Sequence, residues 1–405
     1  MKILLIGINY KPELTGIGKY SGEMCEWLVE NGHDVRVVTA PPYYPEWEVQ
    51  NNYSRWLYSY EEIGGVKIWR CPLWVPSSPT GLTRIIHLAT FALSSFPKII
   101  AQAFWKPDVV ITIEPPFFCA PSALVCAKLS GGKSWLHIQD FEIDAAFELG
   151  LLKTRWLRSL VNGIESWVMR HFDVVSTISS RMVERLQIEK KVSATKTALF
   201  QNWVDTEAIF PLEKPSAMRI DLGISPDKIV ALYSGNMGEK QGLEVVLQSA
   251  VQLGAERNIL FVLCGDGAAR ARLQKQYENL SNVIWLPLQP LERLNDLLNM
   301  ADIHLLPQRS GAADLLMPSK LTGMLSSGRP VVATAAKNTQ IAEVVIDCGI
   351  VVEPEDSLLL SEAILSLSRD RLGCEKLGAR AREYAVENWS KDHILSKFDR
   401  QLKGL

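Results

Sequence analysis

Pro318, Ser319 and Lys320 stand together at the head of a predicted helix, in the stretch DLLMPSKLTGMLSSGRPVVAT that spans residues 314–334 and ends in a short buried strand. Proline suits the first turn of a helix because the amide hydrogen it lacks would be unpaired there. Ser319 offers both a hydroxyl and an amide to an incoming oxyanion. Lys320 puts a full positive charge beside the positive end of the helix dipole, where the dipole alone disfavours it by roughly a few tenths of a kcal/mol. A bound diphosphate reverses that sign. These residue types at this spacing therefore point to an anion site, with Leu321 and Thr322 in the same turn and Arg309 on the connection leading into it.

Three glycine-rich loops have the same character. YSGNMGEKQGLEVV carries Gly235, Asn236, Gly238, Lys240, Gln241 and Gly242; CGDGAAR carries Gly265; NYKPELTGIGKYSGEM carries Gly16 and Gly18 directly ahead of a helix predicted to run to about Asn31. Glycine at a helix start lets backbone N–H groups approach a phosphate or sugar oxygen, because no Cβ stands in the way. One such loop reads equally well as a plain turn; three together are harder to dismiss. The first is no dinucleotide fingerprint, since Ser21 stands where the third glycine belongs and the second strand ends at Thr39 instead of an acid. A nicotinamide dehydrogenase is thereby disfavoured.

LHIQDFEID follows a further strand and supplies His137, Gln139, Asp140, Glu142 and Asp144. Alternation along a strand puts His137 and Gln139 on one face and Asp140 on the other. Glu142 and Asp144 read equally as solvated caps on the next helix or as part of an imperfect D-x-D clamp. No metal site is expected.

Such loops need strands to hold them. Short β-branched runs alternate with helical periods: residues 2–7, 34–39, 66–69, 108–113, 135–139 and 173–178 in the first half, and 229–234, 259–265, 283–287, 303–307, 330–334 and 350–354 in the second. That alternation is the mark of βα units on parallel sheets, so the expected class is α/β, as two Rossmann-like lobes facing a cleft. Between the halves, residues 205–228 carry three prolines and no sustained period, which reads as a domain boundary. A chain of 405 residues, 47% hydrophobic and 22% charged, has material for two cores.

A formal net charge of −2 gives no attraction to nucleic acid, and none is expected as a partner. The seven cysteines are scattered and unspaced for zinc or a C-x-x-C pair, so they read as core thiols of a reducing cytoplasm. The opening MKILLIGINY is too short an apolar run for a signal sequence. With no run of about 18 uninterrupted apolar residues, no single spanning helix is expected either.

At these residues the sequence resembles the family 4 retaining glycosyltransferases of the two-lobed GT-B fold, along nearly its whole length. The likeness rests on YKPELTGIGKYSGEMCEWLVENGHDVRVVTAPPYYPEW, YSGNMGEKQGLEVVLQSA, MPSKLTGMLSSGRPVVATA and GARAREYAVENWS. Family members carry two glutamates ahead of the G-x-P-V-V strand, one on the donor sugar and one on the ribose; the matching positions hold Asp314 and Thr322. The family's diphosphate-holding Arg and Lys fall at Asn236 and Gln241, which leaves Ser319 and Lys320 as the replacements. Its His-Asp pair aligns with Gln139 and Asp140, with His137 two residues earlier.

The resemblance thus implies catalytic roles for Asp314, Lys320 and Asp140. It implies donor binding by Gly16, Gly18, Gly235, Asn236, Lys240, Gln241, Gly265, Arg309, Pro318, Ser319, Lys320, Leu321 and Thr322, and an acceptor side at His137, Gln139 and Asp140. Residues 1–205 would form the acceptor-side domain, 206–228 a linker, 229–385 the nucleotide-sugar-binding domain, and 386–405 a helix packing back on the first lobe. The implied reaction moves a sugar, fucose from GDP-fucose, with anomeric configuration kept and without metal or cofactor. Its acceptor would be a polyprenyl diphosphate-linked saccharide in exopolysaccharide synthesis of the colanic acid type.

Two segments bear on where such an acceptor is met. Residues 81–105 and 151–172 combine apolar positions with Lys and Arg, the latter setting Leu152, Trp156, Leu160, Ile164 and Trp167 at helical spacing among Lys153, Arg155, Arg158 and Arg170. Each reads either as a core helix with a basic rim or as a surface that rests on anionic lipid. The second reading gives a cytoplasmic enzyme, peripheral on the inner face of the cytoplasmic membrane. The aromatic insertion PPYYPEWEVQNNYSRW (41–56) could stack on sugars or simply pack. Two other classes share the expected lobes and diphosphate site: a sugar-nucleotide epimerase, which turns over a nucleotide sugar with no acceptor, and a binding protein that has lost catalysis.

Overall fold

The computed structural model describes residues 1–13, 16–77, 79–141, 155–213, 215–309 and 318–405. Glu142, Asp144, Leu152, Lys153 and Asp314, with the side chains of Arg155, Arg158 and Lys240, lie outside the described residues. The chain divides into two units, Met1–Gln201 with Leu395–Leu405, and Asn202–Ile394.

In the first unit the strands are β1 (Lys2–Ile6), β2 (Asp34–Thr39), β3 (Ser59–Ile63), β4 (Val66–Arg70), β5 (Val109–Glu114), β6 (Lys133–Ile138), β7 (Val174–Thr177) and β8 (Thr197–Leu199). They form one sheet in the order β3-β4-β2-β1-β5-β6-β7-β8. Every neighbouring pair is parallel except β3 with β4. Helices cover the sheet, so its central strands are near-continuous apolar runs; β5, VVITIE, is buried at all six positions. The helix Gly81–Gln102 buries His87, Leu88, Phe91, Ser95 and Ile99 and leaves Leu82, Ile86, Leu93 and Phe96 exposed. By length and composition, Gly81–Trp105 is apolar enough to cross a membrane, contrary to the expectation from uninterrupted runs: Arg84 and Lys98 break the run without lowering the mean enough. Its inner face is nonetheless committed to the core of this unit.

The last residues of the chain complete this unit. Phe398 stacks on Phe200 with ring centroids 4.1 Å apart and meets Trp135 edge-on at 5.0 Å. Asp399 bonds the His33 ring at 2.9 Å.

The second unit is an all-parallel sheet of β9 (Ile229–Ser234), β10 (Ile259–Cys264), β11 (Val283–Leu286), β12 (Ile303–Leu306), β13 (Val331–Thr334) and β14 (Gly349–Val352), in the order β11-β10-β9-β12-β13-β14. Strand order reverses between β9 and β12, so the loops leaving their carboxyl ends part to opposite sides and open a crevice there. Residues 206–228, expected as a linker, are instead anchored on this unit. Leu212 N donates to Asn299, Ser216 Oγ to the Asp296 carbonyl and Arg219 to Asp302. Six of the seven cysteines are buried, as core thiols should be.

Candidate functional site

The crevice at β9 and β12 gathers most of the residues expected at an anion site. β9 runs into the loop of Gly235, Asn236, Gly238, Gln241 and Gly242, and β10 into that of Gly265 and Gly267. These loops are tied backbone to backbone: Met237 N donates to the Asp266 carbonyl at 2.7 Å and Ala269 N to the Met237 carbonyl at 2.9 Å. Gly235 and Gly265 have φ of +134° and +142°, and a Cβ on Gly265 would sit 1.9 Å from the Gly235 carbonyl oxygen. No side chain fits there.

From the other side of the crevice comes the helix Ser319–Ser326. Pro318 is its N-cap residue, with φ −64° and ψ 121°, and Ser319 is exposed. The stem of Lys320 is half-buried while its Nζ is enclosed, has no hydrogen-bond partner among the described residues, and lies 4.2 Å from the Tyr233 ring centroid. Burial alone pushes this ammonium down to about 7. A buried cation without a counter-ion is costly, and an incoming anion removes that cost.

Other expected residues serve differently. Thr322 Oγ1 donates to the Ser319 carbonyl at 2.8 Å, and its side chain and that of Leu321 are buried. Arg309 is not a spare charge. Its guanidinium donates to Glu244 at 3.2 Å and lies 4.0 Å from Glu239, and both carboxylates also hold Arg272. Burial raises the Glu244 carboxyl, but hydrogen bonds from Arg272 and Arg309 outweigh it and hold the group below its ordinary range. Gln241 Oε1 is buried without a partner.

In the first unit, Gly16 opens the helix Gly16–Glu30 with φ +60°. The space over Gly18 is filled instead of left open for a ligand: a Cβ there would meet Glu13 Oε2 at 2.7 Å. Glu13, 2% exposed, accepts from Tyr43 N and Tyr44 N at 3.0 Å and from Asn9 at 2.9 Å. Desolvation raises its carboxyl despite these bonds. The glycine thus makes room for a buried acid that pins the 41–56 insertion, a residue that only its place in PELTG could have flagged. Within that insertion Tyr43 and Trp47 pack on His87, whereas Trp56 is exposed.

His137 and Gln139 do share a face, with ring Nε2 and amide nitrogen 2.9 Å apart. His137 is a core residue, however: Nδ1 bonds Ser176 Oγ at 2.9 Å, the ring packs on Phe200, and burial pushes its ionisation down to about 3. Neutral at physiological pH, it can position Gln139 and not carry charge. Asp140 is exposed beside it. No group of three or more His, Cys, Asp or Glu side chains among the described residues is arranged to hold a metal ion.

Comparison with known proteins identifies the family. Residues 15–203 match the glycosyl transferase 4-like domain and residues 216–385 the glycosyl transferases group 1. The chain is 44% identical, over the whole of both sequences, to a protein described as the colanic acid biosynthesis glycosyl transferase WcaI of Escherichia coli (strain K12). Among solved structures, sucrose-phosphate synthase from Thermosynechococcus elongatus superposes with a TM-score of 0.78 at 16% identity, covering 100% of this chain and 98% of that one. Anabaena HepE in complex with UDP-glucose gives 0.72 at 14% identity and covers all of both chains. With two Rossmann-like sheets and both domain matches, the chain belongs to the glycosyltransferases that join a 4-like domain to a group 1 domain on the GT-B fold.

Proposed function

We propose that this glycosyltransferase moves fucose from GDP-fucose, with retention, onto a lipid-linked saccharide in exopolysaccharide synthesis of the colanic acid type. The observation that carries the donor class is the unpartnered Lys320 ammonium at the β9/β12 crevice, beside the glycine loops. The full-length likeness to WcaI supports the pathway, and the UDP-glucose bound by HepE supports a nucleotide-sugar donor. As the glycosidic bond to the diphosphate breaks, negative charge grows on the leaving oxygen and the sugar becomes oxocarbenium-like. A fixed cation there stabilises the transition state more than the ground state, an effect of about 3 kcal/mol for one such donor. The leaving phosphate oxygen takes the acceptor proton, so the reaction needs neither a protein base nor a metal.

A radiolabel transfer assay offering GDP-fucose, GDP-mannose and UDP-glucose to lipid-linked glucose tests this. Label in lipid from GDP-fucose supports the full reading. Label from another donor corrects the sugar alone, and turnover of donor without lipid labelling favours the epimerase.

For the acceptor, the first unit is read as a cytoplasmic, membrane-apposed surface. The helix Arg155–His171 exposes Trp156 (67%), Leu160, Ile164 and Trp167 (56%) along one stripe, with Arg170 at its end. Interfacial helices have this apolar face and basic flank. Cosedimentation with vesicles containing anionic lipid is expected and should weaken with salt; absence of binding at every salt concentration would remove this part of the reading.

A further inference from the structure

Tyr233, the penultimate residue of β9 at its crevice end, is fully enclosed and was legible in sequence only as a core position of IVALYS. Its side chain meets both elements that line the crevice. The ring lies under the Lys320 Nζ at 4.2 Å, and the hydroxyl donates to the Asn236 carbonyl at 2.5 Å. Because the ammonium has no hydrogen-bond acceptor among the described residues, the electron-rich ring face is what its charge rests on before an anion arrives. The hydroxyl in turn fixes the loop whose Gly235 backbone is locked against Gly265.

We propose that Tyr233 is the positioning residue of the donor site: its ring seats the Lys320 ammonium and its hydroxyl fixes the Gly235–Gly238 loop, so one side chain sets the gap between cation and loop. The assignment rests on the reading of this crevice as a diphosphate site. The charged groups on the surrounding segments do not supply the seat. Arg309 pairs with Glu239 and Glu244, both of which also hold Arg272, and Arg270 donates to the Gly265 carbonyl. Desolvation is the cause that displaces the Lys320 ionisation, with no charged neighbour among the described residues contributing.

The test is a pH titration of the full chain by NMR, with lysine isotopically labelled at Cε, in the absence of any nucleotide. One lysine is expected to titrate near neutrality and to vanish in Lys320→Met. Tyr233→Phe, which keeps the ring, should leave that titration in place. Tyr233→Leu and Tyr233→Met, which remove it, should move the midpoint down by about one unit. A midpoint unmoved in the Leu or Met variant, or moved equally in Phe, would overturn the seat; a merely structural role would lower the melting temperature and leave the titration alone. Two variants without the ring guard against one failing to fold. In the transfer assay Tyr233→Phe should raise the donor KM several-fold with kcat nearly unchanged, and an unchanged KM would overturn the loop role. Failure of wild type to bind GDP-fucose, GDP-mannose or UDP-glucose, with the titration as expected, would count against the donor reading and not against the seat.

Discussion

At Lys320, burial and the proposed function pull in opposite directions. Its ionisation is displaced from an ordinary 10.5 to about 7, so through that interval the unfolded chain binds a proton that the folded chain does not. Stability at this residue is therefore complete above the unfolded value and is lost as pH falls toward 7. Lys320→Met is predicted to raise the melting temperature at neutral pH, by a stability on the order of a few kcal/mol, with the gain fading in strong alkali. The same variant should transfer sugar about a hundred-fold more slowly. Calorimetry at two pH values beside the transfer assay separates these effects, and a drop in melting temperature would show that the ammonium has a folding partner. Lys320 stands out in the sequence because its charge opposes the helix dipole, a conflict visible locally. Arg309 could not, since the carboxylate that neutralises it, Glu244, is remote in sequence and reaches it only through the fold. The space at Gly18 misled for a related reason: Glu13, five residues earlier, folds back to fill it.

At the scale of elements, the buried parallel strands were plain in the sequence because strands covered on both faces must be continuous apolar runs. Two strands were not. β3, SYEEI, is an edge strand with exposed positions and two acids, and β8, TAL, is three residues long. The Gly64–Gly65 pair between β3 and β4, both at positive φ, was the available hairpin signal. The helix Lys391–Lys403 offers a stability test. Phe398→Ala removes a ring stacked on Phe200 and set against Trp135, and should destabilise the first unit by about 3–5 kcal/mol. Thermal unfolding followed by near-ultraviolet circular dichroism would show the shift; an unchanged transition would mean the last helix is dispensable. On the helix Arg155–His171, changing Trp156 and Trp167 together to Ala should lower vesicle binding at least about ten-fold without changing the melting temperature, because both rings are exposed. A melting temperature that falls instead would mark them as packed.

At the scale of the molecule, the chain builds the same plan twice, a sheet, parallel but for the β3/β4 pair, whose strand order reverses once: beside β1 and β5 in the first unit, and beside β9 and β12 in the second. Such a reversal gives each unit a crevice at its carboxyl edge. The class was therefore readable from the alternation of strands and helices alone. The return of residues Leu395–Leu405 to the first unit follows from burial of Phe398, which no local pattern specifies. The central claim is that a nucleoside diphosphate sugar is held, and its leaving group stabilised, at the crevice of the second unit by the Lys320 ammonium. Transfer of labelled fucose from GDP-fucose to lipid-linked glucose, compared between wild type and Lys320→Met near neutral pH, tests it most directly. The account predicts label in lipid with the wild type and about a hundred-fold less with the variant; equal rates would contradict it.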